Sequence, residues 1–356
     1  LQSMRIFNSW QFKRWLRMNL GKSSFYHYFR FFINKKHIDN IAKAFFIETK
    51  NFSRKLIKEA WVKYHWNFYE FFYWDYENIS DEERKSFVPE YEKNIFCDKA
   101  NNHKDDLIFH DKWTTYQKFK DFFKRDAIIV SDKKSLLSNN AVLFFKKHKK
   151  FIIKPINAAS GRGIKILSIK ETDIIEDILL PILEDLKSPC VIEELIIQSS
   201  TLADFHPNSV NTLRIPTFRF NDNETLIFHP FLRIGQKGNI VDNAGAGGIM
   251  GLVDIKTGCV FAASDERCNC YTKHPDTNLD IVGFRIPMWE EALVFVKKLA
   301  DVIPNVRYVG WDITLTEKGW VLIEGNEKGQ FVWQIPTKEG FRDEFESICK
   351  QANIKM

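Results

Sequence analysis

The stretch Val309-Gly310-Trp311-Asp312-Ile313-Thr314-Leu315, the turn Glu317-Lys318-Gly319, and then Trp320-Val321-Leu322-Ile323-Glu324-Gly325-Asn326 decide the reading of this chain. Two apolar arms around a short glycine turn predict neighbouring antiparallel strands. Asp312 and Glu324 then come to lie side by side. Asn326 points to the same face as Glu324, because side chains on a strand alternate with a period of two. The neighbours Ile313, Leu322 and Ile323 argue against an exposed acidic hairpin. Two carboxylates and an amide oxygen form an all-oxygen donor set, suited to Mg²⁺ held against nucleotide phosphates. Buried without a cation, the pair would force one carboxylate to take a proton.

Upstream, the strand Phe151-Ile152-Ile153-Lys154-Pro155 runs into a loop holding Ser160-Gly161-Arg162-Gly163, then into Ile164–Ile169, which alternates like a hairpin partner. Such a loop presents backbone N–H groups to phosphate oxygens while the lysine neutralises charge. An ordinary two-glycine hairpin turn is the plain alternative. Between these regions lie Asn211-Thr212-Leu213-Arg214, Phe231-Leu232-Arg233-Ile234-Gly235 and Val241-Asp242-Asn243-Ala244-Gly245-Ala246-Gly247-Gly248. Two strand arginines and a Gly-rich loop can converge on an anion, since the planar guanidinium pairs bidentately with carboxylate or phosphate. Surface arginines are the competing reading. Further strands are predicted at Ala127–Val130, Cys190–Ile196, Leu213–Phe220, Thr225–Ile234 and Met250–Asp254. Helices are predicted from the Asp111 cap through Phe122, near 134–147, over 171–186 and over 288–302. Strands arriving in hairpin-like pairs argue for an α+β fold over a doubly wound sheet.

A chain of 356 residues, 44% hydrophobic and 28% charged, has the balance of a soluble protein with two domains, or one large unit and an appendage. It contains no uncharged apolar run of membrane-spanning length, and its start lacks the pattern of a secretion signal. Six scattered cysteines do not form a disulfide framework, so a reducing cytoplasm is the expected compartment. Residues 1–60 hold thirteen Lys or Arg against Asp39, Glu48 and Glu59, a balance of +10, which leaves −4 for the rest of a chain of net +6. Lys13, Arg14, Arg17, Lys22, Arg30, Lys35 and Lys36 alternate with Trp10, Trp15, Phe25 and Phe31. That pattern suits an anionic membrane surface or a docked glycosyltransferase. Nucleic acid is disfavoured because no recognised binding module accompanies the charge. The first hundred residues read as helical: Ser80-Asp81-Glu82-Glu83 is a capping box, and the aromatic run 61–76 suits helix packing better than a carbohydrate platform. Cys268-Asn269-Cys270 with His274 does not complete a zinc site. A boundary falls in the polar segment 97–111.

Taken in order, these motifs resemble the ATP-grasp superfamily over roughly residues 111–335, with a middle part like the glutathione synthetase and ribosomal-protein glutamate ligase type. The wording Ser209-Val210-Asn211-Thr212-Leu213-Arg214 and Val241-Asp242-Asn243 is most similar to the sugar-transfer-associated ATP-grasp family, which is linked with bacterial polysaccharide biosynthesis. The resemblance implies an ATP-grasp fold: two α+β subdomains, 111–197 and 198–356, clasping ATP behind a helical appendage, 1–110. It implies that Lys112 and Lys154 contact nucleotide phosphates and that Ser160, Gly161, Arg162 and Gly163 close over them. Glu193, Glu194 and the backbone near Ile196 match the adenine hinge, with Gln198 for the ribose. Asp312, Glu324 and Asn326 match the Mg²⁺ ligands. Arg233, Asn243 and the Gly247-Gly248 loop match the acyl-phosphate region, with Arg214 beside them. Related ligases often follow Glu-x-Asn with a Pro-Gly turn, whereas Asn326 here leads into Glu327-Lys328-Gly329-Gln330. The implied activity is ATP-dependent joining of a sugar-linked or small-molecule carboxylate to an amine, in the cytoplasm or at the inner membrane face. A sugar kinase and a non-catalytic nucleotide-binding scaffold for glycosyltransferases are the alternatives.

Overall fold

The computed structural model describes Ser23, Tyr26, His27, Arg30, Phe31 and residues 54–158, 162–222 and 224–356. Most of the basic first sixty residues, and Ser160 and Gly161 of the candidate phosphate loop, lie outside the described residues.

Among the described residues from Arg54 to Ala100, four helices follow one another: α1 (Arg54–Lys63), α2 (Phe68–Tyr73), α3 (Asp81–Ser86) and α4 (Glu90–Ala100). The predicted capping box starts α3: Glu83 N–H donates to Ser80 Oγ at 3.2 Å, and Ser80 N–H to Glu83 Oε2 at 2.7 Å. Asn67 and Glu70 form a second box at α2. The aromatic run is a core, with Trp66, Phe71, Trp74 and Tyr76 buried and the Trp66 and Trp74 rings edge-to-face at 4.8 Å. Ring pairs of this kind add about 0.5–1.5 kcal/mol beyond their buried area.

Next comes α5 (Lys112–Lys118), capped by Asp111, whose Oδ1 accepts Thr114 N–H at 2.7 Å. The helix ends before Phe119, and a separate short turn carries Phe122. Then follow β1 (Ala127–Val130), α6 (Asn139–Lys147), β2 (Lys150–Pro155), β3 (Lys165–Ser168), α7 (Ile175–Leu186) and β4 (Cys190–Glu194). The helix predicted near 134–147 is split, because Ser138 caps a fresh start at Asn139. The four strands form an antiparallel sheet in the order β1-β4-β2-β3. Phe144, Phe145, Leu179 and Leu183 of the helices meet Val130, Phe151, Ile153 and Ile192 of the sheet in one cluster.

The larger sheet comprises β5 (Thr212–Arg219), β6 (Thr225–Ile227), β7 (Phe231–Ile234), β8 (Ile249–Val253), β9 (Val260–Ser264), β10 (Tyr308–Thr316) and β11 (Gly319–Asn326). Its order is β11-β10-β5-β7-β8-β9, with β6 on β5, and every pairing is antiparallel. The single strand predicted over Thr225–Ile234 is broken at His229-Pro230, where proline has no N–H for a ladder. Helix α8 (Trp289–Val302) contributes Val296 and Leu299 to the cluster holding Leu213, Ile215, Leu232 and Ile313 on one face. On the other face, Phe218, Phe231, Met250 and Tyr308 meet Phe96 of α4 and Phe345 of α9 (Arg342–Gln351). Arg214, Arg233 and Asp312 share that second face by register.

Glu70 sets a pH dependence. It is buried and accepts Asn67 N–H at 2.6 Å, yet burial first, and the Glu90 charge next, push its carboxyl up to about 8. Folding therefore takes up a proton between the ordinary value of 4.5 and about 8. The associated stability is present below that window and lost as pH rises through it. Urea unfolding midpoints should fall from pH 5 to pH 8, and Glu70→Gln should flatten the decline. An equally steep decline in the variant would contradict this assignment.

Candidate functional site

The large sheet builds its half of the site around Asp312, which is 1% exposed. Arg214 on β5 faces it in register and grips it bidentately, Nη2 to Oδ2 at 2.7 Å and Nε to Oδ1. Arg233, opposite Thr212, donates Nη1 to Asp312 Oδ2 at 2.9 Å and Nη2 to Asp242 Oδ1 at 3.0 Å. Asp242 in turn accepts Thr212 N–H at 3.0 Å. Burial opposes the Arg233 charge, but Asp242 and Asp312 outweigh it and hold the guanidinium well above its ordinary range. Burial likewise works against the charge of Asp312, and the two arginines hold its carboxyl below the ordinary value.

Glu324 is paired with Asp312 across the hairpin, and Asn326 with Gly310. Unlike Asp312, Glu324 makes no ion pair among the described residues. Asn326 Nδ2 lies 3.4 Å from it, and the Asp312 carboxyl is within hydrogen-bond reach. Its side chain opens to solvent on one side, but desolvation by the protein crowded around it, and then the Asp312 charge, raise its carboxyl above the ordinary value.

The small sheet supplies cations. Lys154 on β2 and Arg125 just before β1 both bind Glu193 Oε2, at 2.9 and 2.7 Å. Burial alone would raise the Glu193 carboxyl; Arg125 and Lys154 reverse this and bring it to about 2. Arg125 also donates Nη1 to Leu322 O on β11 at 2.6 Å, which ties the two sheets together two residues before Glu324. Lys112, at the start of α5, donates Nζ to Ala158 O. Burial lowers its ammonium, and it feels both Glu324 on one sheet and Lys154 and Glu193 on the other. Gly163 turns the chain at φ +72°, and a Cβ there would meet Pro155 Cγ at 2.8 Å.

Glu194 accepts Asp126 N–H at 3.1 Å and lies 3.4 Å from Lys318 Nζ, so it braces the hinge against the hairpin turn. Ile196 is half-buried just beyond β4. The Gln198 side chain is engaged by protein: Nε2 donates to Ser209 O at 2.7 Å and Oε1 accepts Asn211 N–H at 2.8 Å. Arg162 is exposed beside the loop. The carbonyl of Asn243 accepts Ala246 and Gly248 N–H at 2.9 and 3.0 Å, while its side chain makes no hydrogen bond among the described residues. A Cβ at Gly248 would meet Asp242 O at 2.2 Å, so glycine is required there. Sequence reasoning missed Arg125, Thr212 and the anchoring role of Asp242. Only the last had a local signal, an acid at the mouth of a glycine loop.

Two antiparallel sheets, one presenting Lys154 and the other paired carboxylates, are the two jaws of an ATP-grasp fold. The chain belongs to the sugar-transfer-associated ATP-grasp family, whose model matches residues 91–350. Solved structures similar to it include the ADP complex of N5-carboxyaminoimidazole ribonucleotide synthetase, at 13% identity and TM-score 0.43, covering 68% of this chain and 52% of that one. D-alanine-D-alanine ligase from Helicobacter pylori is similar at 16% identity and TM-score 0.43, covering 70% and 62%. The Bacillus anthracis D-alanine-D-alanine ligase complexed with ATP is similar at 14% identity and TM-score 0.42, covering 71% and 69%. The chain thus spans about half the length of the first of these structures. Comparison with curated proteins finds no match.

Glu193 generates a stability prediction. Its depressed carboxyl contributes stability present above the ordinary 4.5 and lost as pH falls toward about 2. Glu193→Gln leaves Arg125 and Lys154 short of a buried partner and should cost about 3–5 kcal/mol at pH 7. The gap to wild type, read by urea unfolding, should narrow as pH falls below 4.5. A gap that is constant with pH would rule out the ion pair as its source.

Proposed function

We propose that the chain is an ATP-dependent carboxylate–amine ligase that uses Mg²⁺ and modifies a sugar acid in surface-polysaccharide assembly. One observation carries the reading. Arg214 and Arg233 already neutralise Asp312 and Asp242, so Glu324 is the carboxylate left beside them without an ion pair among the described residues. A hard divalent cation fits there, since Glu324, Asp312 and the amide oxygen of Asn326 are all oxygen donors. It would also relieve the repulsion that raises Glu324. When bound, Mg²⁺ supplies charge neutralisation between the phosphates and the attacking carboxylate.

In this reading Lys154 on the small sheet and Lys112 at the start of α5 hold the nucleotide phosphates. Arg233 and Arg214 face the γ-phosphate from the large sheet and stabilise charge as it is transferred. A substrate carboxylate oxygen bonds to the γ-phosphorus while the bond to ADP breaks. An amine nitrogen then bonds to the acyl carbon, the carbon–oxygen bond to phosphate breaks, and the nitrogen gives up a proton to solvent. The loop through Arg162 and Gly163 keeps water from the acyl phosphate. The family's description as sugar-transfer associated supports a sugar-linked substrate. Residues 1–60 supply location in this reading. No helix of the described residues is long and apolar enough to cross a membrane.

The test is an ADP-release screen of uronic-acid sugars, free or nucleotide-linked, crossed with amino acids and amines. Hydroxylamine replaces the amine in a parallel set. A productive carboxylate should give a hydroxamate, and Glu324→Gln should lower that rate by at least about a hundredfold. ADP release with a phosphorylated sugar and no free phosphate would establish a kinase instead.

A further inference from the structure

Helix α4 precedes the ATP-binding jaws in sequence, yet its side chains reach the turn that follows the metal-site hairpin. Three consecutive backbone carbonyls of that turn are each captured by a different buried side chain. Asn101 Nδ2 donates to Glu327 O at 3.0 Å, Lys93 Nζ to Lys328 O at 2.9 Å, and Tyr308 Oη to Gly329 O at 3.0 Å. Asn101 also grips the first strand of the hairpin, donating to Tyr308 O at 3.0 Å and accepting Tyr308 N–H at 2.8 Å. It therefore bonds at once to the beginning of β10 and to the chain just past the end of β11. Lys328 Nζ reaches Asp98 Oδ1 at 2.6 Å, and the Glu327 carboxylate lies 3.1 Å from His110 Nε2. The turn closes on itself through Gly329 N–H to Asn326 O at 3.2 Å, and Gly329 lies against Gly310.

A carbonyl has ordinary partners in water, so burying three lysine, amide and hydroxyl donors merely to satisfy them gains little stability. What the arrangement does gain is position. Every residue of the turn is tied, and the first bond along the chain from Asn326 is the Asn101 contact. The turn Glu327-Lys328-Gly329 contains no proline, and Lys93 of α4, Asn101 just past its end and Tyr308 of β10 hold it from outside.

We propose that Lys93, Asn101 and Tyr308 are positioning residues that fix Asn326 and Glu324 for the divalent cation. This rests on the reading of Asp312, Glu324 and Asn326 as metal ligands. Outer partners of metal ligands typically change affinity by about 10–100-fold when removed.

The experiment uses the full chain and three measurements. Mn²⁺ affinity is read by water-proton relaxation with ATP present, fluorescent-nucleotide affinity is read in EDTA, and amide hydrogen exchange is read across the protein. Two variants are compared with wild type. Lys93→Met keeps the side-chain shape without the ammonium, and Tyr308→Phe removes a single hydroxyl, so it should fold even where the first does not. The expected result is a Mn²⁺ Kd raised about tenfold in each. Nucleotide affinity without metal should stay within about twofold, and exchange should quicken at residues 326–330 while β5 and β8 stay protected. Unchanged Mn²⁺ affinity in a folded variant overturns the proposal, whatever the exchange shows. So does a parallel fall in metal and metal-free nucleotide affinity, the mark of general destabilisation. A wild-type chain that binds no Mn²⁺ in the presence of ATP overturns the metal reading, and this inference with it.

Discussion

Both oxygens of the buried Asp312 are occupied by arginines, and the register of the surrounding strands suits that contact. Arg214 must lie across from Asp312, and Arg233 one strand further, to reach the same carboxylate. A one-residue slip of β5 would turn Arg214 into the cluster that holds Leu213 and Ile215, and bring those apolar side chains to the charged face. Buried ion pairs are weak evidence for stability, since desolvation offsets their attraction, but they punish disorder severely. That asymmetry suits a site whose geometry must be kept while its ligands come and go. It also leaves Glu324 as the neighbouring carboxylate without an ion pair among the described residues.

The second jaw follows the same logic with the signs reversed. There a single buried carboxylate, Glu193, holds two cations, Lys154 and Arg125. Arg125 reaches on to Leu322 O, so the lysine jaw is bonded to the strand that carries Glu324. Lys112 sits between them, with its ammonium depressed by burial and supported by carboxylates from both sheets. The site is thus an alternation of charges across the interface between two sheets. Neither sheet completes it alone.

Much of this was legible because the signals were local. The hairpin 309–326 carried its turn, its alternation and its acids within eighteen residues, and the structure brings Asp312, Glu324 and Asn326 together as alternation predicts. The Asp111 and Ser80 caps were legible for the same reason. The break at Pro230 was available too, as a proline inside an apolar run. What escaped was non-local. Arg125 stands in a loop with nothing beside it to indicate a partner at Glu193 or Leu322. Gln198 reads as a polar residue at a hinge, but its amide serves Ser209 and Asn211. Helix α4 has the charged, aromatic composition of the region before it, and the bonds from Lys93 and from Asn101 at its end to residues 328 and 327 cross more than two hundred positions. Local pattern cannot encode such pairings; only the folded sheet brings them together.

The central claim is that these jaws drive a substrate carboxylate onto the γ-phosphate of ATP. It is tested most directly by supplying that carboxylate labelled with ¹⁸O, together with ATP and the amine, and analysing the released phosphate by mass spectrometry. The account predicts that one labelled oxygen per turnover passes from the carboxylate to phosphate, because the bond broken by the amine lies between the acyl carbon and that oxygen. Phosphate released without label, while amide or ADP accumulates, would contradict it.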